Sequence, residues 1–367
     1  MTISQHQKDK QYLLACLELA KKGQFTCRPN PQVGCVIVKD DQIIGEGWHE
    51  FAGQGHAEVN AIADVDKNGR SCEGAVAYVS LEPCSFTGKT PPCVDALIIA
   101  KISRVVCASI DPNPKVAGQG IEKLKSNGID ASLIDDPEIQ KKAEWLNRGF
   151  FNRMRSGLPW VMLKIASSMD GRTADYQGTS QWITNEQSRQ DVHQLRAQSC
   201  AILTGSGTQK SDNPSLNVRV EGFNESFQPI RVLLDSNCEV KENSNIVSND
   251  KKLLIFCLPD IKISTELRSK AIIVEQDPSD LSAVLEYLAS KEVNHVMTEA
   301  GSTLSASFVE NDLVDEIVQY IAPSIIGSQG RGMFDFSTPL SLTNRKQFKI
   351  KSAETINDDV KITYSRN

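Results

Sequence analysis

His56-Ala57-Glu58 is followed by Pro83-Cys84 and then by Pro92-Cys93. One imidazole and two thiolates, His56, Cys84 and Cys93, suit a four-coordinate zinc ion whose fourth position stays open. An open position is what catalysis needs, because a water taken there gives up its proton near neutral pH. Glu58 stands two residues from His56 and can shuttle that proton without ligating the metal. The two cysteines fall near expected helix starts, where the positive end of the helix dipole favours thiolate. Taken singly, each of these residues reads more simply as structural. Together they point to catalytic zinc, since a closed structural site has no use for an unligated carboxylate at that spacing.

Zinc nucleobase deaminases space their two cysteines as P-C-x-x-C. Here eight residues, SFTGKTPP, separate Cys84 from Cys93. That insertion carries Lys89 and Thr90, a cation and a hydroxyl that could hold a phosphate or sugar. In isolation the same pair would read as a solvated loop.

These residues need elements to hold them. Residues 11–22 carry apolar side chains at helical spacing, and 33–38 with 42–47 read as a hairpin. Helices are expected over 56–64, 93–100 and 120–127, and strands over 75–81, 104–109 and 129–134. Two prolines favour the helix start at Cys93. The βα order predicts a three-layer α/β sandwich. A polar helix over 138–155 and the turn Ser156-Gly157-Leu158-Pro159 close this half.

A second series follows. Strands are expected over 161–166, 201–203, 230–234, 253–257, 271–274, 295–298 and 317–321, with a final hairpin from 348–352 and 360–364. Helices fit 186–198, with Thr184 and Gln187 as a capping box, and 281–289. No G-x-G-x-x-G follows a strand, so the commonest dinucleotide fold is not indicated. Two small-residue turns after strands, 204–208 and 299–303, could still offer backbone N–H groups to phosphates.

The composition frames this. A chain of 367 residues favours two domains, and the motifs divide it as 1–150 and 151–367. The net charge of −6 argues against a surface built to wrap nucleic acid. No apolar run is long enough for a membrane span, and the polar N-terminus lacks a secretory core. The expected location is therefore the cytoplasm. There, two of the ten cysteines are assigned to the metal and eight to packing.

The segments RPNPQVGCVIV (28–38), HAE (56–58), LEPCS (81–85), GKTPPC (88–93) and DPNPKVAG (111–118) resemble the bifunctional riboflavin-biosynthesis deaminase/reductase family. The likeness continues through LKIASSMDGRT (163–173), SQWIT (180–184), LRAQ (195–198), DNPSLNVR (212–219), LLDS (233–236) and EAG (299–301), so it covers nearly the whole chain. It implies a cytidine-deaminase-like three-layer α/β/α domain followed by a dihydrofolate-reductase-like α/β domain. It also implies zinc-dependent hydrolytic deamination of 2,5-diamino-6-ribosylamino-4(3H)-pyrimidinone 5′-phosphate. NADPH-dependent reduction of the ribosyl group would follow, giving 5-amino-6-ribitylaminouracil 5′-phosphate. Homo-oligomers are the family's habit.

By the same resemblance Asn30 would contact the pyrimidine edge. Lys89 and Thr90, with Asp111 and Asn113, would line the ribose-phosphate end. Phe86 stands where family members often carry His, which puts a sugar contact by that side chain in doubt. Ala166, Trp182, Thr208, Asp212 and Ser236 would touch NADPH, as would Gly301, Ser302, Thr303, Leu304, Ser305, Ala306 and Ser307. Ser180, Arg196, Leu216, Arg219 and Glu299 would touch the substrate, and the guanidinium forks of Arg196 and Arg219 suit its phosphate. Lys164, on the first strand of this half, is a cation that could stabilise charge as hydride reaches C1′ of the opened sugar.

Two other readings fit parts of the chain. One is a nucleic-acid-editing deaminase with an accessory domain, which the acidic balance and the Cys84–Cys93 spacing disfavour. The other is a non-enzymatic zinc and nucleotide-binding protein, which leaves Glu58 without a purpose.

Overall fold

The computed structural model describes residues 4–88, 90–114, 116–248 and 252–366. Lys89, a candidate phosphate ligand, lies outside the described residues. The chain forms two compact units, Met1–Gly157 and Leu158–Asn367.

The first unit runs α1 (Gln5–Lys21), β1 (Gly34–Lys39), β2 (Gln42–Trp48), α2 (Ala57–Lys67), β3 (Val76–Val79), α3 (Cys93–Ile99), β4 (Arg104–Cys107), α4 (Gln119–Ser126), β5 (Asp130–Leu133), α5 (Pro137–Leu146) and α6 (Arg148–Ser156). Helix α1 starts earlier than its apolar spacing shows, because Ser4 and Gln7 close a capping box. The five-stranded sheet has the order β2-β1-β3-β4-β5. Strands β1 and β3 pair antiparallel, while β3, β4 and β5 run parallel. Alternation along β1 sends Cys35 and Ile37 to one apolar cluster, with Ala57, Ala61, Val94 and Leu124. It sends Val36 and Val38 to the other, with Leu13, Cys16 and Ile139. The sheet is thus covered on both faces, as the three-layer expectation requires.

One expected element is broken in two. The helix over 138–155 stops at Asn147 (φ −109°, ψ 23°) and restarts as α6. The Asn147 side chain leaves the helical pattern to bond the Gln32 backbone, accepting its N–H at 2.7 Å and donating to its carbonyl at 2.8 Å.

The second unit runs β6 (Trp160–Ser168), β7 (Arg172–Ala174), α7 (Glu186–Gln198), β8 (Ala201–Gly205), α8 (Ser206–Asp212), β9 (Ile230–Leu234), β10 (Leu253–Cys257), α9 (Thr265–Lys270), β11 (Ile272–Glu275), α10 (Leu281–Ser290), β12 (His295–Thr298), α11 (Ser302–Glu310), β13 (Glu316–Ala322), β14 (Arg331–Gly332), β15 (Lys349–Ile356) and β16 (Asp359–Ser365). Its nine-stranded sheet has the order β11-β10-β9-β8-β12-β6-β13-β16-β15. All neighbours from β11 to β13 are parallel, and only β16 runs antiparallel to its neighbours. Leu163, Leu203, Val232 and Phe256 pack on α10 and α11 through Leu285, Leu288 and Phe308. The expected capping box of α7 is not formed. Asn185 is the N-cap instead, accepting the Ser188 N–H at 2.8 Å.

Candidate active sites

The metal ligands gather at the ends of α2, α3 and the turn after β3. Helix α2 lies directly on β2: a Cβ at Gly47 would fall 2.4 Å from the Ala57 carbonyl oxygen and 2.3 Å from the Ala61 nitrogen. Only glycine permits that approach, and it fixes where α2 begins. His56 is the N-cap of α2, and its side chain makes no capping bond, so the ring is free to ligate. Cys93 opens α3, and its backbone N–H donates to Cys84 Sγ at 3.3 Å. Cys84 is therefore at that helix start in space, though its own segment is a loop.

His56 Nδ1 lies 3.1 Å from Cys93 Sγ and 3.7 Å from Cys84 Sγ. The three donor atoms all lie within 4.8 Å of one another. Tetrahedral zinc with ordinary bond lengths sets its N and S ligands ~3.5–3.8 Å apart, so the donor set and spacing fit this ion. The other ring nitrogen, His56 Nε2, meets Thr90 Oγ1 at 3.2 Å, which orients the imidazole. Thr90 thus stands on the metal ligand. Contact with Cys93 and with His56 pulls the Cys84 thiol down to about 4. The Cys84 contact and burial push Cys93 the other way. A bound divalent cation would hold both as thiolates. Glu58 is buried, and burial followed by the nearby Cys84 charge raises its carboxyl.

Asn30 Nδ2 meets His49 Nε2 at 2.9 Å, and His49 Nδ1 meets the Gly55 carbonyl at 3.1 Å. With Nδ1 donating to that carbonyl, Nε2 is left to accept from Asn30. The His49 ring also packs edge-on against His56, with centroids 5.0 Å apart. His49 escapes sequence reasoning because a single histidine after a strand has no spacing partner. Asp111 is buried, accepts the Asn113 N–H at 2.8 Å, and is pushed up to about 7 by burial. Glu82, also buried, accepts N–H groups from Asp111 (3.3 Å), Gly118 (2.9 Å), Gly120 (2.9 Å) and Ile121 (3.2 Å). It ties the Asp111 loop and the start of α4 to the Cys84 turn. Phe86 is 38% exposed.

The second unit holds two adjoining cavities. One, of about 380 Å³, is lined by Lys164, Ala166, Ser180, Trp182, Arg196, Asp212, Leu216, Arg219 and Glu299 among others. Arg196 donates to Glu299 through Nε at 2.6 Å and Nη2 at 3.0 Å, and through Nη1 to the Asn217 carbonyl at 3.0 Å. Two expected substrate ligands therefore hold each other, and the Arg196 fork is occupied. Burial opposes ionisation of Glu299, but Arg196 and then Lys164 overcome it and hold the carboxyl at about 2. Burial pulls the Lys164 amine down against the attraction of Glu299. His193, unremarked in the sequence, lies between Arg196 and Arg219. Burial and those two charges lower it to about 4, and its Nδ1 accepts the Arg219 N–H at 3.1 Å.

The other cavity, of about 760 Å³, is lined by Gly205, Thr208, Ser236, Gly301, Ser302, Thr303, Leu304 and Ser307 among others. Ser305 and Ala306 are 1% and 0% exposed, because their face of α11 turns into the core. They are absent from the lining, contrary to the expectation for 301–307 as one continuous contact. Gly301 caps α11 with no side-chain bond. The uncapped helix start suits a phosphate group.

Residues 6–109 match the family described as the cytidine and deoxycytidylate deaminase zinc-binding region, and residues 159–362 match the RibD C-terminal domain. The chain is 41% identical over 365 residues to the riboflavin biosynthesis protein RibD of Escherichia coli, covering 96% of this chain and 98% of that one. A solved structure of Acinetobacter baumannii RibD superposes with a TM-score of 0.90 at 38% identity, over 99% of each chain. So does a diaminohydroxyphosphoribosylaminopyrimidine deaminase/5-amino-6-(5-phosphoribosylamino)uracil reductase from Thermotoga maritima, with a TM-score of 0.89 at 30% identity, over 99% of this chain and 100% of that one. With zinc-ligand geometry in one unit and a two-cavity α/β fold in the other, the chain belongs to the RibD family of riboflavin biosynthesis proteins.

Proposed function

We infer that the chain performs two consecutive steps on one phosphorylated ribosylaminopyrimidine. The first unit deaminates 2,5-diamino-6-ribosylamino-4(3H)-pyrimidinone 5′-phosphate by hydrolysis. The second reduces the ribosyl group of the product to ribityl, with NADPH as reductant. The observation that carries this reading is the convergence of His56, Cys84 and Cys93 with a buried, non-ligating Glu58 beside them.

Zinc bound by these three residues would supply Lewis acidity toward a water. Glu58 takes one proton from the attacking water and gives it to the ring nitrogen, then carries the second, from the hydroxyl so formed, to the departing amine. Asn30, positioned by His49, reads the pyrimidine edge. Asp111 and Asn113 hold the ribose end, and Lys89 is assigned to the phosphate by family resemblance. Among the described residues of the second unit, the phosphate falls to Arg219, because Arg196 is engaged by Glu299.

NADPH is assigned to the larger cavity with its nicotinamide reaching into the smaller one, where it would supply the reducing equivalents. Lys164 stabilises negative charge on the sugar as hydride arrives, and Glu299, beside it at the end of the paired strand β12, holds substrate hydroxyls. A cytosolic setting belongs to the same reading, supported by ten cysteines of which none is in a disulfide. Among the described residues no helix is long and apolar enough to cross a membrane. A homo-oligomer also belongs to it, supported by the exposed edge strand β15 and checked by molar mass in solution.

The test supplies the diaminopyrimidinone phosphate and then NADPH. Glu58→Gln should slow ammonia release by about 10²–10⁴-fold with zinc content unchanged. NADPH oxidation on deaminated substrate should be unaffected. Loss of both activities together would contradict separate sites.

A further inference from the structure

Four residues line both cavities of the second unit: Thr208, Ser211, Gly301 and Arg331. Arg331 alone among them carries charge. It is also the single cation among the described residues lining the larger cavity, where Asp335 is the single carboxylate. A dinucleotide cofactor brings several negative charges into that space, and backbone N–H groups alone leave them unneutralised.

Two of the neighbouring guanidinium groups are engaged, and Arg219 is assigned to the substrate phosphate. Arg196 is held by Glu299 and the Asn217 carbonyl. Arg189 donates to the Thr184 carbonyl at 2.6 Å and lies over the Trp182 ring at 4.6 Å. The Arg331 guanidinium has no hydrogen bond or ion pair with any described residue, yet its backbone is fixed. Arg331 pairs with Ala174 in the β14–β7 ladder, and Thr173 Oγ1 donates to the Gly332 carbonyl at 3.3 Å. The guanidinium passes over Gly178, where a Cβ would stand 3.3 Å from Nη2.

A dinucleotide carries its diphosphate between its two nucleosides. With adenosine in the larger cavity and nicotinamide in the smaller, the diphosphate crosses the seam where Gly301 and Arg331 meet it. We propose that Arg331 binds the diphosphate of the nicotinamide cofactor, opposite the N–H groups at the start of α11. This rests on the reductase reading above. A guanidinium fork matches phosphate oxygens in pairs, which an ammonium does less well.

The full-length protein, its Arg331→Gln variant and its Arg331→Lys variant are titrated with NADPH by nicotinamide fluorescence. 2′-AMP is run as a competitor that carries the 2′-phosphate without the diphosphate. Arg331→Gln should weaken NADPH about tenfold and leave 2′-AMP, the melting temperature and the KM of the ribosylated substrate unchanged. Arg331→Lys should recover part of the loss. NADPH binding within twofold of wild type in Arg331→Gln overturns the assignment. An equal loss for 2′-AMP places the arginine at the 2′-phosphate and overturns it too, as does a change confined to substrate KM. A wild-type protein that binds no NADPH overturns the reductase reading itself.

Discussion

At the scale of single residues, the second unit's chemistry rests on a buried group of charges. Glu299 and Arg196 form a two-bond pair, and Lys164 sits within electrostatic reach of both. A buried ion pair contributes little net stability against an apolar alternative, but removing one partner is costly. Its value here is geometric: Arg196 fixes the carboxylate that the substrate meets. Lys164 makes no hydrogen bond or ion pair with a described residue, so its amine lines the cavity held only by the electrostatic attraction of Glu299. Lys164→Met should therefore lower the turnover of the reduction by about a hundredfold. The Kd for NADPH should hold, as should ammonia release, since neither involves that amine. Initial rates at saturating cofactor measure the first effect, and unchanged turnover would remove Lys164 from the mechanism.

At the scale of elements, the deaminase site depends on how closely backbones approach. Gly47 lets α2 settle on β2, which sets His56. Gly120 does the same for α4, since a Cβ there would lie 2.1 Å from the Pro83 carbonyl oxygen. Glu82 then grips four backbone N–H groups from that region. Glu82→Ala should lower the unfolding free energy by about 3 kcal/mol, because several buried donors lose their acceptor at once. Urea unfolding reads this directly. A variant as stable as wild type would mean that water replaces the carboxylate. The expected capping box at Thr184 fails at the same scale. The Asp359 carboxylate accepts the Asn185 N–H at 2.8 Å and the Ser188 hydroxyl at 2.6 Å, which sets the start of α7 from 174 residues away.

At the scale of the whole molecule, two sheets built on different strand orders carry two sites, and each unit's stability has its own pH dependence. In the second unit, burial pushes the Asp315 carboxyl up to about 6, although the Val161 N–H and Arg366 pull it back. A carboxyl raised in the folded state contributes stability below its unfolded value of 3.8. That contribution is lost as pH rises toward 6. Asp315→Asn keeps an oxygen for the Val161 N–H, bonded at 2.8 Å. It should raise the melting temperature at pH 7.5 by about 2–4 °C and leave it unchanged near pH 4. A gain of equal size at both pH values would show that the charge is not the cause.

Some of this is legible in the chain itself. His56, Glu58, Cys84 and Cys93 are readable because each sits at the start of a helix or in the turn after a strand, and local spacing predicts such elements well. The apolar run in 33–38 likewise forms a strand, β1, since it depends on neighbours in the chain, whereas the turn expected at 204–208 is the end of β8 passing straight into α8. The residues that remained silent are those whose meaning depends on distant partners. His49 matters through Asn30 and His56, Glu82 through the 111–121 segment, and His193 through Arg219. Arg196 and Glu299 are 103 residues apart, and only the β12 end beside α7 brings them together. Arg331 lies on a two-residue strand that exists only because β7 pairs with it. The sequence by itself determined which groups could perform the chemistry. The tertiary structure decided which of them face an open cavity and which hold one another, because long-range packing sets which polar groups are already paired.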